Sequence, residues 1–340
     1  MHCLPIQQAI GHVLAHDVTR IVPGESKGPA FKKGHIIREQ DIEALLDMGK
    51  AHIYVLELSS DHVHEDAAAQ RIGAAAAGQG LKLTVPSEGR VNLIAEYSGV
   101  LKVDVSALNR LNSIQHVVFA TLHGNHRIDS GQPVAGTRVI PLVVSEELVA
   151  EAERVCRRHA PLIAVKPFTA LRVGMITTGS EVFLGRIEDR FGPVVEKKFN
   201  ALGSRIIRQI FVSDDVDKTV AAIGTLIDEG AQMVVLTGGM SVDPDDRTAD
   251  GIRAAGAEVI TYGAPTFPGA MFMLAYMGDI PVLGLPGCVM YHRTSIFDLI
   301  VPRLLAGERL MREDITMLGH GGFCATCGEC RYPLCGFGKA

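Results

Sequence analysis

The sequence predicts an α/β protein. A three-layer domain built on a parallel sheet occupies residues 168–310, a mixed α+β and β-rich region precedes it, and a short cysteine-rich tail follows it. Three observations carry this. Two apolar runs, L-R-V-G-M-I-T-T-G-S-E from Leu171 and M-V-V-L-T-G-G-M-S-V-D-P-D-D-R-T from Met233, both stop at Thr-Gly and give way to small and acidic residues, as strands buried on both faces do. Helical patterns separate such runs, which implies crossovers and parallel pairing. Four of the seven cysteines crowd together at the C-terminal end.

Composition bounds the reading. With 340 residues the chain holds two or three domains and buries a substantial core. At 47% hydrophobic and 21% charged, with no low-complexity block, it is globular. A net charge of -5 and the lack of a long Lys/Arg run argue against a nucleic-acid or anionic-membrane partner. No apolar segment approaches the ~20 residues that span a bilayer. Met1 to Ile10 lacks the charged-then-apolar pattern of a signal peptide, so cytoplasm is the expected location.

Residues 1–58 read as a small mixed unit. Val13–Val18 and His52–Leu58 have strand character, and Arg38–Met48 has apolar residues at near-helical spacing, with Gly49 placed as its cap. The Gly- and Ser-rich stretch Pro23–Pro29 reads as a loop. Residues 59–167 form a β-rich region with flanking helices. Glu65–Ala77 is Ala-rich and helical, ending at Gly78. Lys82–Leu142 reads mostly as β, punctuated at Ser87-Glu88-Gly89, Gly124-Asn125 and Asp129-Ser130-Gly131. Ser145 then caps a helix reaching about Arg158, with Glu146 and Glu147 in its first turn. Pro167 closes the linker.

Beyond it the pattern turns regular. Strands are expected at Leu171–Thr177, Arg205–Val212, Gln232–Leu236, Glu258–Tyr262 and Pro281–Leu285. Helices are expected at Val194–Leu202, Val216–Glu229, about Thr248–Ala255 and about Tyr291–Leu305. In an open sheet of this kind, ligands bind beyond the carboxyl ends of the strands.

Four glycine-bearing loops open at that edge. Gly238-Gly239 lets backbone N–H groups approach an anion closely; alone, such a pair is also just a tight turn. Asp243, Asp245 and Asp246 follow within four positions. Carboxylates so close repel one another unless a cation relieves them. Mg²⁺ suits them, because it takes one or two carboxylates plus substrate phosphates. The bland alternative is an exposed acidic turn with Asp246 as a helix cap. Thr177 to Glu181, Phe267-Pro268-Gly269 and Gly284-Leu285-Pro286-Gly287 supply the other loops. Lys197 and Lys198 sit on a helix, either near a phosphate or as solvated surface charges.

T-T-G-S-E, G-G-M-S-V-D-P-D-D-R-T, Pro268-Gly269 and G-L-P-G resemble the molybdopterin-binding domain shared by molybdopterin molybdotransferases and molybdopterin adenylyltransferases. The resemblance covers Leu171 to Leu305. Upstream, V-P-S-E-G-R, L-N-R-L-N and V-A-G-T-R-V-I-P-L more loosely resemble the molybdotransferase N-terminal region.

It implies that molybdopterin, or its adenylated form, binds at this edge with Mg²⁺. Asp246, Glu181 and Ser180 would be catalytic. Thr178, Gly179, Gly238, Gly239, Ser241, Asp243, Asp245, Thr248, Pro268, Gly269, Pro286 and Gly287 would hold the cofactor. It also implies a homodimer. The chain departs from the pattern at Ser180, where many members have Asp. It departs again at Asp243, where the molybdotransferase pattern has Gly, and at Cys288, where it has Asn. Asp245-Asp246-Arg247-Thr248 is similar to the D-x-T ending of the adenylyltransferase type. The expected role is a transferase of molybdenum-cofactor biosynthesis that inserts molybdate. Two alternatives stand beside it. One is a non-catalytic carrier or sensor that meets a molybdoenzyme or its chaperone through the tail. The other is a hydrolase of a nucleotide pyrophosphate.

In the tail at residues 319–340, Cys324, Cys327, Cys330 and Cys335 give C-x₂-C-x₂-C-x₄-C. Four thiolates in so short a span can converge on one metal, either an iron–sulfur cluster or Zn²⁺; the alternative is an unmetallated tail. Cys3, Cys156 and Cys288 read as reduced, mostly buried thiols. His123 and His126 flank a turn and read as solvated.

Overall fold

A computed structural model of the chain describes residues 2–22, 26–55 and 61–339. The backbone divides into two compact units. The first comprises Met1–Tyr97, Lys102–Leu122 and Ser130–Val165, and the second comprises Ser98–Leu101, His123–Asp129 and Lys166–Ala340.

In the first unit, helix Asp41–Asp47 buries Leu45 against Ile6, Leu14, Ile37, Ile53 and Val55. Strand His52–Val55 pairs with His2–Pro5, and residues 56–58 of the expected strand lie outside the described residues. The strand expected at Val13–Val18 instead begins at Val18, where Val18–Val22 pairs with Ser26–Phe31. The expected loop Pro23–Pro29 is therefore strand from Ser26 onward, and 23–25 lie outside the described residues.

Next comes a four-stranded antiparallel sheet whose spatial order is Leu81–Leu83, Arg90–Ala95, Pro133–Val139, Val117–Thr121. Helix Glu65–Ala76 lies close on it, since a Cβ on Gly73 would come 3.0 Å from Leu83. Within the stretch read as β, Val105–Asn112 is helical: the Asp104 carboxylate accepts the Ala107 N–H at 2.9 Å, and Ala107 and Leu111 are buried. The helix Glu146–Arg158 starts at Ser145, whose hydroxyl accepts from the Leu148 N–H.

In the second unit the elements run β1 (Arg172–Thr178), α1 (Ser180–Phe183), α2 (Gly192–Asn200), β2 (Arg205–Val212), α3 (Val216–Asp228), β3 (Met233–Thr237), α4 (Thr248–Ala254), β4 (Glu258–Tyr262), β5 (Met273–Met277), β6 (Ile280–Leu285), α5 (Cys288–Tyr291), α6 (Ile296–Leu305) and α7 (Arg312–Thr316). They build a six-stranded sheet of order β2-β1-β3-β6-β5-β4. The pairs β1–β2, β1–β3 and β3–β6 are parallel, whereas β5 runs antiparallel to both of its neighbours. The sheet is therefore mostly parallel, and β5 is a strand that the sequence reading lacked. β5 and β6 form a hairpin around Gly278-Asp279, with Met277 opposite Ile280 and Gly278 at φ +59°.

The central strands β1, β3, β5 and β6 are buried on both faces, which is why they read as continuous apolar runs. Val173, Met175, Met233 and Val235 face a core with Phe199, Phe272 and Phe297. Ile176, Val234 and Leu236 face α3 and α4 through Ile223, Leu226 and Ile252. The helix expected at about Tyr291–Leu305 runs from Ile296 to Leu305, and a separate short helix, Cys288–Tyr291, precedes it. The buried Ser295 stops the first reading through, because its hydroxyl accepts from Phe297 N–H while Asp298 accepts from Ser295 N–H.

The tail packs on this unit. Phe337 belongs to the core below the sheet, and Cys324, Tyr332 and Cys335 lie against it. Among the described residues, no helix is long and apolar enough to cross a membrane.

Candidate functional site

β1, β3 and β6 end level with one another, Thr177 beside Thr237 and Thr237 beside Leu285. Under their ends lies a buried hydroxyl network. Thr178 Oγ1 donates to Thr237 O at 3.2 Å and sits 2.8 Å from Thr248 Oγ1, which donates in turn to Gly238 O at 3.0 Å. Gln209 Nε2 donates to Thr177 Oγ1 at 2.8 Å and to Asp189 Oδ2 at 2.6 Å. Asp189 also accepts the N–H groups of Phe191 and Gly192, which fixes the start of α2 beside the strand ends.

The Gly238–Gly239 turn rests on this network. Both residues have positive φ, +84° and +50°. A Cβ on Gly238 would stand 2.2 Å from Thr178 O, and one on Gly239 would stand 2.6 Å from Thr248 Oγ1. Only glycine fits here. From the far side, Tyr262 donates its O–H to Met240 O at 3.3 Å. No internal hydrogen bond ends on the N–H groups of Gly239, Met240 or Ser241 among the described residues.

Above the turn is a cavity of about 540 Å³, a volume suited to a small organic ligand. Of the residues expected to hold a cofactor, Gly238, Gly239, Ser241, Pro268, Gly269, Pro286 and Gly287 line it, and so does Asp246. The others do not. Thr178 and Thr248 are buried beneath the turn as its supports. Gly179, at φ +136°, turns the chain from β1 into α1. Glu181 is exposed, its carboxylate folded toward Gly179. The N–H and O–H of Ser180 both donate to Asp214 Oδ2 at 2.9 Å, so that hydroxyl is committed to the loop after β2. Asp243 and Asp245 are exposed and outside the cavity.

Asp246 is not a helix cap: its Oδ2 accepts the Asp243 N–H at 3.1 Å across a tight turn, which leaves the other oxygen free to act. Among the described residues no three His, Cys, Asp or Glu side chains stand close enough to hold a metal. A three-carboxylate cage for Mg²⁺ therefore does not fit. An ion that takes Asp246 and completes its shell with phosphate oxygens and water does.

Sequence reasoning missed the apolar walls Phe191 and Met271; it named Phe267 only within a loop at this edge and Cys288 only as a departure from the family pattern, not as lining groups. Burial pushes the Cys288 thiol up, so it meets the cavity uncharged. Asp189 was missed too, and Asp214 was read only as part of Ser213-Asp214-Asp215 leading into a helix; only the fold shows which N–H groups each serves.

The tail thiols are not gathered into one donor set. Cys330 Sγ lies 3.3 Å from Thr294 Oγ1, Cys327 is exposed, and Cys324 and Cys335 pack on the core. The tail does reach the cavity's rim, since Cys324 N–H donates to Phe267 O and Phe267 N–H to Gly322 O, both at 2.8 Å. His126 is buried, its ring 5.8 Å from that of Tyr332, rather than solvated as expected. Cys3 is exposed rather than buried. Lys198 is mostly buried and bonds both oxygens of Asp298, at 2.9 and 2.8 Å; it is neither a surface charge nor free for a phosphate.

Residues 174–306 match the family described as a probable molybdopterin binding domain, and residues 3–57 match a domain described only as of unknown function. Curated relatives include a CinA-like protein of Mycobacterium avium (strain 104), 30% identical over 26% of this chain and 21% of its own length. Another, from Geobacter sp. (strain M21), is 32% identical over 26% of this chain and 22% of its own length. The matched part thus spans about a fifth of those relatives. Solved structures with a similar chain trace include the molybdopterin biosynthesis enzyme MoaB of Thermus thermophilus, at 17% identity and TM-score 0.34, covering 41% of this chain and 98% of that one. The tungsten cofactor synthesizing protein MoaB of Pyrococcus furiosus gives 21% identity and TM-score 0.34, covering 42% and 98%. Residues 174–306 are a domain of the molybdopterin-binding family.

Proposed function

From that family domain, we propose that the cavity over Gly239 binds a molybdopterin species and that the chain is a transferase of molybdenum-cofactor biosynthesis that inserts molybdate into adenylated molybdopterin. One observation carries the reading. The free N–H groups of Gly239 and Ser241 and the carboxylate of Asp246 meet at one cavity at the carboxyl edge of the sheet.

Those N–H groups receive phosphate oxygens, on backbone fixed in place by Thr178 and Thr248. Prearranged donors of this kind stabilise charge that grows during reaction without having to reorganise. Phe191, Phe267 and Met271 exclude water from the flat pterin. Asp246 would hold Mg²⁺, which supplies charge neutralisation at phosphate oxygens.

The test is release of AMP from adenylated molybdopterin in the presence of molybdate and Mg²⁺. The wild type turns over, and Asp246→Ala lowers the rate by about 10² or more. A folded wild-type protein that releases no AMP removes the transferase reading.

A second reading has its own support. Ser180 is tied to Asp214, and Glu181 lies outside the cavity, leaving one acid where catalysis would use several. A carrier of the cofactor needs no more. It is favoured if Asp246→Ala changes neither cofactor affinity nor the phenotype of cells carrying it.

A further inference from the structure

The second unit holds a larger cavity, about 770 Å³, that shares no lining residue with the one over Gly239. Its walls are α2, the turn between α5 and α6, α6 itself, and Tyr332-Pro333 of the tail, with Arg127 and Asp129 of the same unit at its rim. The chain as a whole is acidic, at -5. This cavity is the reverse: Arg127, Lys197, Lys198 and Arg293 face two carboxylates, Asp129 and Asp298.

Two of the four cations are spoken for. Arg127 bonds Asp129 at 3.0 Å, and Lys198 bonds Asp298. Lys198 also donates to the backbone carbonyl of Arg293 at 2.9 Å, which holds Arg293 on this wall. Lys197, the neighbouring residue on α2, and the Arg293 guanidinium have no partner among the described residues. Two unpaired cations facing one concave space repel each other until an anion enters. A guanidinium grips an oxyanion through paired donors, while an ammonium acts as a point charge. Tyr332 adds no competing negative charge, because burial keeps its phenol protonated and its O–H donates to Asp298 O at 3.0 Å. His292 lines the cavity as well.

We propose that this cavity is a second ligand site, which takes a small molecule through a tetrahedral oxyanion group held between Lys197 and Arg293. The volume admits an organic body behind the oxyanion. The tail forms one wall, so it takes part in the site.

Calorimetric titration of the full chain at low salt tests this with three separate probes: inorganic phosphate, molybdate and AMP. At least one binds the wild type, and the pattern separates a free oxyanion from a phosphate ester with an organic body. Lys197→Ala with Arg293→Ala weakens that binding by about tenfold or more. Both cations are on exposed residues, and circular dichroism confirms that the variant folds. The proposal falls if none of the probes binds or if the double variant binds as tightly as the wild type, which would put the anion elsewhere.

Discussion

Thr248 shows how one residue shapes the site without lining it. Its hydroxyl joins Gly238 O to Thr178 Oγ1, and its N–H donates to Gly239 O at 3.1 Å. Thr248→Val keeps the volume and strips both hydroxyl bonds inside a buried network, which costs about 1–3 kcal/mol. Urea unfolding measures that loss, and the slackened Gly238–Gly239 turn should weaken ligand binding alongside it; unchanged stability would mean the network is not formed. His126 makes a second prediction at this scale. Burial pushes its pKa down to about 4, helped by the charges of Lys339 and His123. The unfolded imidazole titrates near ~6.5, so between these values the unfolded chain binds the proton and the folded one does not. Stability is therefore complete above about 6.5 and falls as pH drops toward 4, by on the order of 3 kcal/mol for this group. His16 and His64 are lowered too and share the same limb. The informative measurement is thus a difference: His126→Phe should flatten the fall in urea midpoint with pH, and parallel curves would refute it.

Elements of the second unit were legible where one rule governed them. β1, β3 and β6 announced themselves because a strand covered by helices on both faces has to be apolar, while the edge strands β2 and β4 are only partly buried and were legible from their β-branched residues. β5 obeys the same rule, in M-L-A-Y-M, and the two-residue Gly278-Asp279 turn is a hairpin signal. It escaped because a strict strand–helix alternation leaves no place for a hairpin. In the first unit, Val105–Asn112 was hidden by the β character of its surroundings, although Asp104 stands at its start as a cap. The break between α5 and α6 falls in the polar run His292-Arg293-Thr294-Ser295, and the local bonds of Ser295 and Asp298 set where α6 starts. Ser295→Ala should therefore destabilise the unit by about 1 kcal/mol, read as a lowered denaturation midpoint. Asp298 also holds Lys198, so an effect well above that size would show that the cap supports the α2–α6 contact as well.

For the molecule as a whole, the sequence placed the glycines and Asp246 at one edge because strand ends and loop order follow from the α/β pattern. It did not show which side chains wall the cavity, since Phe191 comes from the start of α2 while Phe267 and Met271 come from the loop between β4 and β5, and no spacing links the two. The tail teaches the same lesson. C-x₂-C-x₂-C-x₄-C fixes how far apart four thiols can be, but packing fixes where each one points. Tyr332 bonded to Asp298 O, Phe337 in the core and Cys324 bonded to Phe267 O draw the sulfurs to different neighbours. Alkylation with mass-spectrometric readout should then rank the thiols by exposure. Cys3 and Cys327 are exposed and should label first, followed by the half-buried Cys288, Cys324, Cys330 and Cys335. Cys156, fully buried and pushed up to about 11, should react only on unfolding, because the thiolate is the reactive form. A different outcome would be decisive about metal. If all four tail thiols, Cys327 included, resist labelling together and a chelator releases them together, then they do share an ion. Cys330 must then leave Thr294, and the backbone bridge from Cys324 to Phe267 would carry that rearrangement to the rim of the cavity over Gly239.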